Sequence, residues 1–344
     1  MSIAPHHISF ALVPRFNMLA LMTMIEPMRI ANYLSPSTLY TWDYRSVEAG
    51  NITSSNGLPI HCDTLEANEA QAPDIIVLCA SWGAETYKSA TLFNWLRRQK
   101  RQGKTIIGVE LASYVLARAG ILDGHKATGH WSMFAGLAET YPAVETTEQL
   151  YTIDHNLMTC AGGTSGLDLM LHLLVLQHGQ QLATEVASQL LHHPQRPPEG
   201  RQKFVTGALN DGLHPDVRAA MQLIETSIEE PLSVPRVCRK IGISQRKLER
   251  LFQRDTGCTV VQFSKLIRLQ YARVLLSTTQ MTIRDVSAAC GFNSMSYFSS
   301  CFFESFNKKP SEYRQSWPEN EPSPSWPGTV YSFIQNSHLL KAAQ

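Results

Sequence analysis

Three charged side chains near the C-terminal end of the sequence carry the donors and acceptors that can read DNA base edges. Arg246, Glu249 and Arg250 lie within one short stretch, on the predicted helix face opposite its apolar residues. An arginine can donate two hydrogen bonds to guanine, and a glutamate can accept one from the cytosine amino group. The alternative is an ordinary solvated face. Base contact by these three residues is our expectation.

A helix-turn-helix pattern surrounds these side chains. Residues 232–252 read as a short amphipathic helix, a turn at Ile241-Gly242-Ile243, and a second helix for which Ser244 is a suitable N-cap. In such a unit the second helix lies in the major groove of DNA. The pattern therefore predicts a sequence-specific DNA-binding unit.

The pattern occurs a second time at residues 282–303, with its turn at Gly291-Phe292. Its outward side chains are weaker readers of bases, so we expect looser sequence preference from this half; those proposed to face DNA are Met295, Ser296 and Ser300. Lys308 and Lys309 follow and are expected to contact phosphates. A predicted helix over Val261–Ser277 would hold the two recognition helices about 34 Å apart, one turn of DNA.

The charge of the chain is distributed unevenly. Residues 213–317 contain 15 Lys and Arg against 9 Asp and Glu, whereas the whole chain contains 30 against 29. Because duplex DNA is a dense line of negative charge, an excess of cations in the part with both helix-turn-helix patterns fits phosphate contact.

The rest of the composition excludes several classes of protein. The seven cysteines are scattered and never spaced as CxxC, which indicates reduced thiols in a cytoplasmic protein and neither disulfides nor a metal site. The sequence contains no apolar run long enough to predict a membrane span. The N-terminus lacks the pattern of a secretion signal. We expect no cofactor.

Residues 291–314 closely resemble the closing signature of the AraC/XylS family. The matching features are the Gly291-Phe292 turn, a Phe-rich helix, and Pro310-Ser311-Glu312-Tyr313-Arg314. The family often has an arginine late in the second recognition helix, where this chain has Ser300. The resemblance implies an operator in double-stranded DNA as the partner, activation of transcription, and contact with RNA polymerase.

The first 190 residues alternate apolar strands with amphipathic helices, which predicts βαβ units around a largely parallel sheet. Several segments resemble GlxA-like AraC regulators, whose N-terminal domain has the fold of PfpI-type peptidases and class I glutamine amidotransferases. They are Ile25–Asn32, Ser55–Leu58, Leu116–Gly124, Ala127–Trp131 and Thr159–Thr164. The resemblance implies a flavodoxin-like α/β domain followed by an all-α domain with two helix-turn-helix units.

Enzymes of that fold carry a nucleophilic cysteine on a sharp turn between a strand and a helix, often followed by histidine. Glu110 stands at the cysteine position here and Leu111 at the histidine position. A carboxylate without a thiol or a neighbouring imidazole cannot perform thiolate chemistry. We therefore expect no catalytic residues and no enzyme, with the former active site serving as a ligand pocket.

Acidic and aromatic residues around that pocket predict a cationic ligand. The candidate ligand-binding residues are Glu26, Trp82, Glu110, His130 and Trp131. Carboxylates pair with a cation and indole rings bind it through cation–π contact. Because Ile25–Asn32 looks most like regulators of glycine betaine, carnitine and arginine catabolism, we expect a small amino or quaternary ammonium metabolite. The alternative is that the two glutamates have local protein partners and the tryptophans belong to the core.

The predicted organisation has four parts. Residues 1–191 form the sensing and dimerisation domain, 192–212 a Pro-rich linker, 213–317 the DNA-binding domain, and 318–344 a tail. We expect a homodimer that responds to a metabolite and activates catabolic genes. Two other hypotheses are a ligand-independent regulator whose N-terminal domain only dimerises, and a hydrolase or amidase.

Overall fold

The computed structural model describes residues 4–67, 72–192, 196–200, 202 and 213–315. The chain divides into two compact units, Met1–Gln202 and Lys203–Gln344. The division falls inside the predicted linker, most of which lies outside the described residues, as does the predicted tail. The domain bounds themselves stay a prediction.

An eight-stranded sheet organises the N-terminal unit, in the order β3-β4-β2-β1-β5-β6-β10-β9. Its strands are β1 (His6–Leu12), β2 (Tyr40–Ser46), β3 (Gly50–Thr53), β4 (Pro59–Thr64), β5 (Ile75–Ala80), β6 (Thr105–Glu110), β9 (Tyr151–Asp154) and β10 (Leu157–Cys160). The inner strands pair in parallel, and β3 and β9 join the two edges antiparallel. The short pair β7 (Lys126–Ala127) and β8 (Glu145–Thr146) forms a second sheet.

Two groups of helices cover this sheet. The N-terminal unit contains α1 (Met18–Leu34), α2 (Ala90–Arg101), α3 (Ala112–Arg118), α4 (Phe134–Thr140), α5 (Ser165–His178) and α6 (Gln180–Gln189). The helices α1, α5 and α6 share one hydrophobic cluster with alternate strand residues such as Val77 and Ile107. Since strand side chains alternate between faces, Ile76 and Ile106 are buried on the opposite side. Both faces are thus covered, which explains why the central strands are apolar throughout.

The C-terminal unit is helical. It comprises α7 (Pro215–Glu225), α8 (Val234–Ile241), α9 (Gln245–Thr256), α10 (Val260–Thr278), α11 (Ile283–Ala289), α12 (Met295–Phe306) and α13 (Pro310–Gln315). Gly242 ends α8 in the left-handed region at φ 74°, and the hydroxyl of Ser244 caps α9 by accepting from the Lys247 amide. Buried Leu248, Leu251 and Phe252 anchor α9, the first recognition helix, to the core.

The α/β domain followed by an all-α domain confirms the predicted fold class. All seven cysteines are buried as free thiols. Within the described residues, no helix has the length and apolar character needed to cross a lipid bilayer.

Candidate functional site

Glu110 ends strand β6 on a sharp turn before α3, and its backbone has a left-handed φ of 64°. A non-glycine residue in this region is uncommon, and such strained positions cluster at functional sites. The turn is the strand-to-helix elbow that the sequence predicts for residue 110. Its side chain is only 9% exposed, so the carboxyl group lies in the interior of the domain.

The Glu110 carboxyl group is incompletely satisfied. Asn17, the N-cap of α1, donates from Nδ2 to the Glu110 Oε1 at 3.2 Å. Among the described residues, no hydrogen bond of ordinary geometry reaches the buried Oε2. Burial raises the pKa of Glu110 to about 7, against opposing hydrogen bonds from Asn17 and Ser81. The group is therefore poised to change its charge near neutral pH.

His130 lies against the backbone of the same turn. Its amide donates to the Glu110 carbonyl at 3.3 Å, and its Nδ1 is 2.6 Å from the Ser132 hydroxyl. Burial lowers the pKa of His130 to about 4, so the imidazole is neutral at pH 7. Trp131 stacks on the His130 ring with centroids 5.4 Å apart and is 37% exposed.

A narrow space adjoins Glu110 and is too tight in this conformation to admit a water molecule. Its lining residues come from the elbow, from α3 and from the stretch after Gly129, and include Ser113, Tyr114, Met133 and Leu137. Of the five predicted ligand residues, Glu110 and His130 belong to this lining. A ligand at this position would therefore require the lining side chains to move apart.

The structure places the other three predicted ligand residues differently. Glu26 lies on α1, where its carboxylate is bound by the Arg29 guanidinium at 2.6 Å, one helical turn away. Trp82 is half-buried on the loop after β5, directly after the buried Ser81, which opposes the rise in the pKa of Glu110. Trp131 contacts the ring of His130, which belongs to this lining. Their role in binding stays a prediction.

On the C-terminal unit, α9 presents a cationic face to solvent. Arg246 and Arg250 are exposed, and neither guanidinium bonds a described residue. The Glu249 carboxylate is partly buried and accepts from the Val260 amide at the start of α10, at 3.4 Å. The sequence analysis missed Gln253, which is exposed one turn after Arg250; the i, i+4, i+7 spacing from Arg246 would have indicated it.

The second recognition helix, α12, exposes different chemistry. Met295, Ser296 and Ser300 are exposed as predicted, and so are Lys308 and Lys309 beyond its end. Tyr297 is 58% exposed beside them and was not selected from the sequence, because an aromatic residue at helical spacing resembles a core residue. Its contact with DNA and that of the selected residues are untested.

Arg268 fixes the turn that precedes α12. Its guanidinium lies 3.9 Å from the centre of the Phe292 ring and donates to the carbonyls of Cys290 and Gly291, each at 2.7 Å. Because Arg268 belongs to α10, which also packs against α7 and α9, this long helix connects both recognition units. The linking role predicted for this helix agrees with these contacts.

Comparisons with known proteins match both parts of the chain. The DJ-1/PfpI family matches residues 11–176, and a helix-turn-helix domain family matches residues 237–316. The HTH-type transcriptional regulator GbdR of Pseudomonas aeruginosa is 33% identical over 92% of this chain and 86% of its own. The regulator CdhR of the same species is 34% identical over 93% of this chain and 94% of its own.

Two further matches extend the comparison. The HTH-type transcriptional regulator GlxA of Rhizobium meliloti is 32% identical over 90% of this chain and 95% of its own. A solved THiJ/PfpI family protein from Pseudomonas syringae covers 65% of this chain and 88% of its own, with a TM-score of 0.50 and 23% identity, and supports the fold alone.

Proposed function

Because this chain belongs to the AraC family of helix-turn-helix transcriptional regulators, with a DJ-1/PfpI-type N-terminal domain, we propose that a small cationic metabolite controls its action on DNA. Its relatives are transcriptional regulators, not enzymes. The ligand we propose is an amino or quaternary ammonium compound, and the response is activation of catabolic genes through contact with RNA polymerase. A homodimer formed by residues 1–191 would carry this response, with 192–212 as its linker to the DNA-binding domain.

The unsatisfied carboxyl group of Glu110 carries this proposal. A buried carboxylate with an unpaired oxygen costs free energy, which a cation bound beside it would recover. Neutral His130 adds no competing positive charge, and Trp131 stacked on it offers an indole face. The small volume beside Glu110 admits no water molecule in this conformation, so a ligand would bind there only after side chains move apart.

The same small volume favours the second candidate function. If the cavity is filled by its own side chains, the N-terminal domain acts only in dimerisation, and the regulator responds to its own concentration or to a protein partner. The two functions differ in whether any small molecule stabilises the domain.

For DNA, we propose that Arg246, Arg250 and Gln253 contact bases, with Glu249 as an additional acceptor. Met295, Ser296, Tyr297 and Ser300 contribute weaker contacts, and Lys308 and Lys309 bind phosphate. Apart from the partly buried Glu249, these side chains are exposed, on the recognition helices or, for Lys308 and Lys309, just beyond α12, which supports this assignment.

The test is thermal unfolding with glycine betaine, dimethylglycine, carnitine, choline or arginine, and with neutral and anionic metabolites as controls. A ligand at 100 times its dissociation constant stabilises the folded state by about 2.7 kcal/mol. We expect one cationic compound to raise the melting temperature of the wild type. Glu110→Ala should abolish this shift, whereas the control Glu185→Gln, at an exposed glutamate, should keep it. If no cationic compound changes the melting temperature, the result favours the second function, in which the N-terminal domain acts only in dimerisation.

A further inference from the structure

The described part of the linker is docked on the N-terminal domain beside Glu110. This segment, residues 196–200 and 202, is named the strap below. Its contacts reach two backbone segments that enclose the Glu110 elbow, namely Gly162–Thr164 and Thr128–His130. One end of the strap is therefore bound at Gly129, which lines the space beside Glu110, and the other at Thr164, two residues after the Gly162 that packs on Glu110.

Arg196 holds the first end. Its guanidinium donates to the Asp168 Oδ2 from Nε at 2.9 Å and from a terminal nitrogen at 2.6 Å, and its backbone amide donates to Oδ1 at 2.9 Å. The Arg196 guanidinium also donates to the Thr164 hydroxyl at 2.8 Å. Asp168 is fully buried and receives a fourth bond from His192. Hydrogen bonds between a guanidinium and a carboxylate are about twice as strong as those between neutral groups.

Gln202 holds the second end. Its Nε2 lies within 3.0 Å of three acceptors, the Thr128 hydroxyl and the carbonyls of Gly129 and Gln149. Its Oε1 is buried without a partner among the described residues. An unpaired buried amide oxygen costs free energy, so this attachment is only partly satisfied.

The centre of the strap is connected to Gly162, the glycine that packs on Glu110, through the backbone of Leu150 and Ala161. The Leu150 amide donates to the Pro198 carbonyl at 2.9 Å, and the Leu150 carbonyl accepts from Ala161 at 2.9 Å. Gly200 permits this approach, because a Cβ there would lie 2.6 Å from the Leu150 Cδ1 and 2.9 Å from the Pro197 carbonyl. The next residue after Ala161, Gly162, touches the Glu110 side chain.

We propose that the strap senses the state of the Glu110 site and controls the freedom of the DNA-binding domain. A ligand that displaces Gly162–Thr164 or Thr128–His130 changes the attachment of Arg196 or Gln202, and the linker is released or tightened. The DNA-binding domain follows this segment in the chain, so its reach on DNA changes with the attachment. The ligand step rests on the proposed function, whereas the mechanical coupling between strap and site does not.

Coupling between two sites is reciprocal, and this gives a test that needs no ligand. Hydrogen exchange is measured on the full chain for the strap and for residues 128–134. We expect Glu110→Ala to speed exchange in the strap, and Gln202→Ala or Gly200→Ala to speed exchange in 128–134, each by about tenfold. The matched control is Gln181→Ala, because Gln181 is an exposed glutamine whose side chain is bonded to Glu185 on its own helix.

The proposal would be overturned if the variants fold and each changes hydrogen exchange only in the segment that carries its substitution. If Glu110→Ala does not fold, the two strap variants decide, since their substitutions lie at the end of the domain. Glycine betaine and carnitine are then added to the wild type. If calorimetry shows that a compound binds but hydrogen exchange in the strap does not change, the proposed role of the strap is wrong and the proposed function still stands. Reciprocal coupling in a protein that binds no cation supports the strap and counts against the proposed ligand class.

Discussion

Gly162 and Glu110 are in direct contact across the candidate ligand site: a Cβ atom on Gly162 would lie 2.7 Å from the Cβ of Glu110 and 2.8 Å from its Cγ. Gly162 also has a left-handed φ of 84°. The absence of a side chain at residue 162 therefore allows a glutamate to occupy the elbow.

Gly162→Ala is expected to destabilise the N-terminal domain for both reasons. Gly163→Ala is the matched control, because Gly163 also has a positive φ, of 54°, but a Cβ there meets nothing within 4 Å. Urea unfolding should show Gly162→Ala to be less stable than Gly163→Ala by about 1–3 kcal/mol, the usual cost of overpacking. Equal losses in the two variants would show that Glu110 moves aside freely.

Glu110 makes stability depend on pH. Its pKa is about 7 in the folded domain against an ordinary 4.5, so the folded state binds a proton more tightly than the unfolded state. Its contribution is fully present below pH 4.5 and is lost as pH rises to 7. His130, with its pKa lowered to about 4, acts in the opposite direction below pH 6.5.

The variant Glu110→Gln separates the contribution of Glu110 to the pH dependence of stability from that of His130. Relative to wild type, the variant should be similar in stability near pH 4.5 and more stable at pH 8, by at most about 3 kcal/mol. The measurement is chemical unfolding of both proteins from pH 4.5 to 8. A difference that does not vary with pH would mean that Glu110 keeps an ordinary pKa.

The sequence analysis located the elbow and the recognition helices but not the partners of their side chains. The alternation of apolar runs and amphipathic helices predicted a largely parallel sheet, and the turn glycines predicted both helix-turn-helix units, because these signals are local. Asn17 binds Glu110 from 93 positions away, which no spacing or periodicity indicates. The pairing of Glu26 with Arg29 has a local signal, the i, i+3 spacing on a helix, which competes with a role in the pocket.

The contacts of the strap could not be predicted from the sequence, for a different reason. Its Pro-rich, polar composition is typical of a loose linker, and hydrogen bonds from Arg196 to Asp168 or from Gln202 to Gly129 depend on the tertiary fold. Composition indicates where a chain leaves one domain, but the contacts of that segment depend on the surface it crosses.

Binding of a cation beside Glu110 should release a proton. A positive charge favours the carboxylate and lowers the pKa of Glu110 from about 7, so affinity rises by up to about tenfold between pH 6 and 8 and levels off above pH 8. Calorimetric titration of glycine betaine or carnitine in two buffers of different ionisation enthalpy measures the released protons. Binding of the same compound without proton release would place the cation away from Glu110.

Arg250→Ala should weaken binding to specific DNA through loss of a base contact. Arg250 is exposed on α9 and makes no bond with described residues, so its removal leaves the fold intact. The matched control is Arg254→Ala on the same helix, because the Arg254 guanidinium is bound to Asp255. The probe is a duplex selected from random DNA by the full-length wild type.

The expected loss for Arg250→Ala is about 10- to 100-fold in affinity, the range for a two-pronged contact between arginine and guanine. Fluorescence anisotropy at several salt concentrations separates the two kinds of contact. A base contact weakens the selected duplex more than a scrambled duplex, whereas a phosphate contact weakens both equally and reduces the salt slope by about 1. An equal loss on both duplexes would therefore assign Arg250 to phosphate and leave base reading on this helix to Arg246 and Gln253.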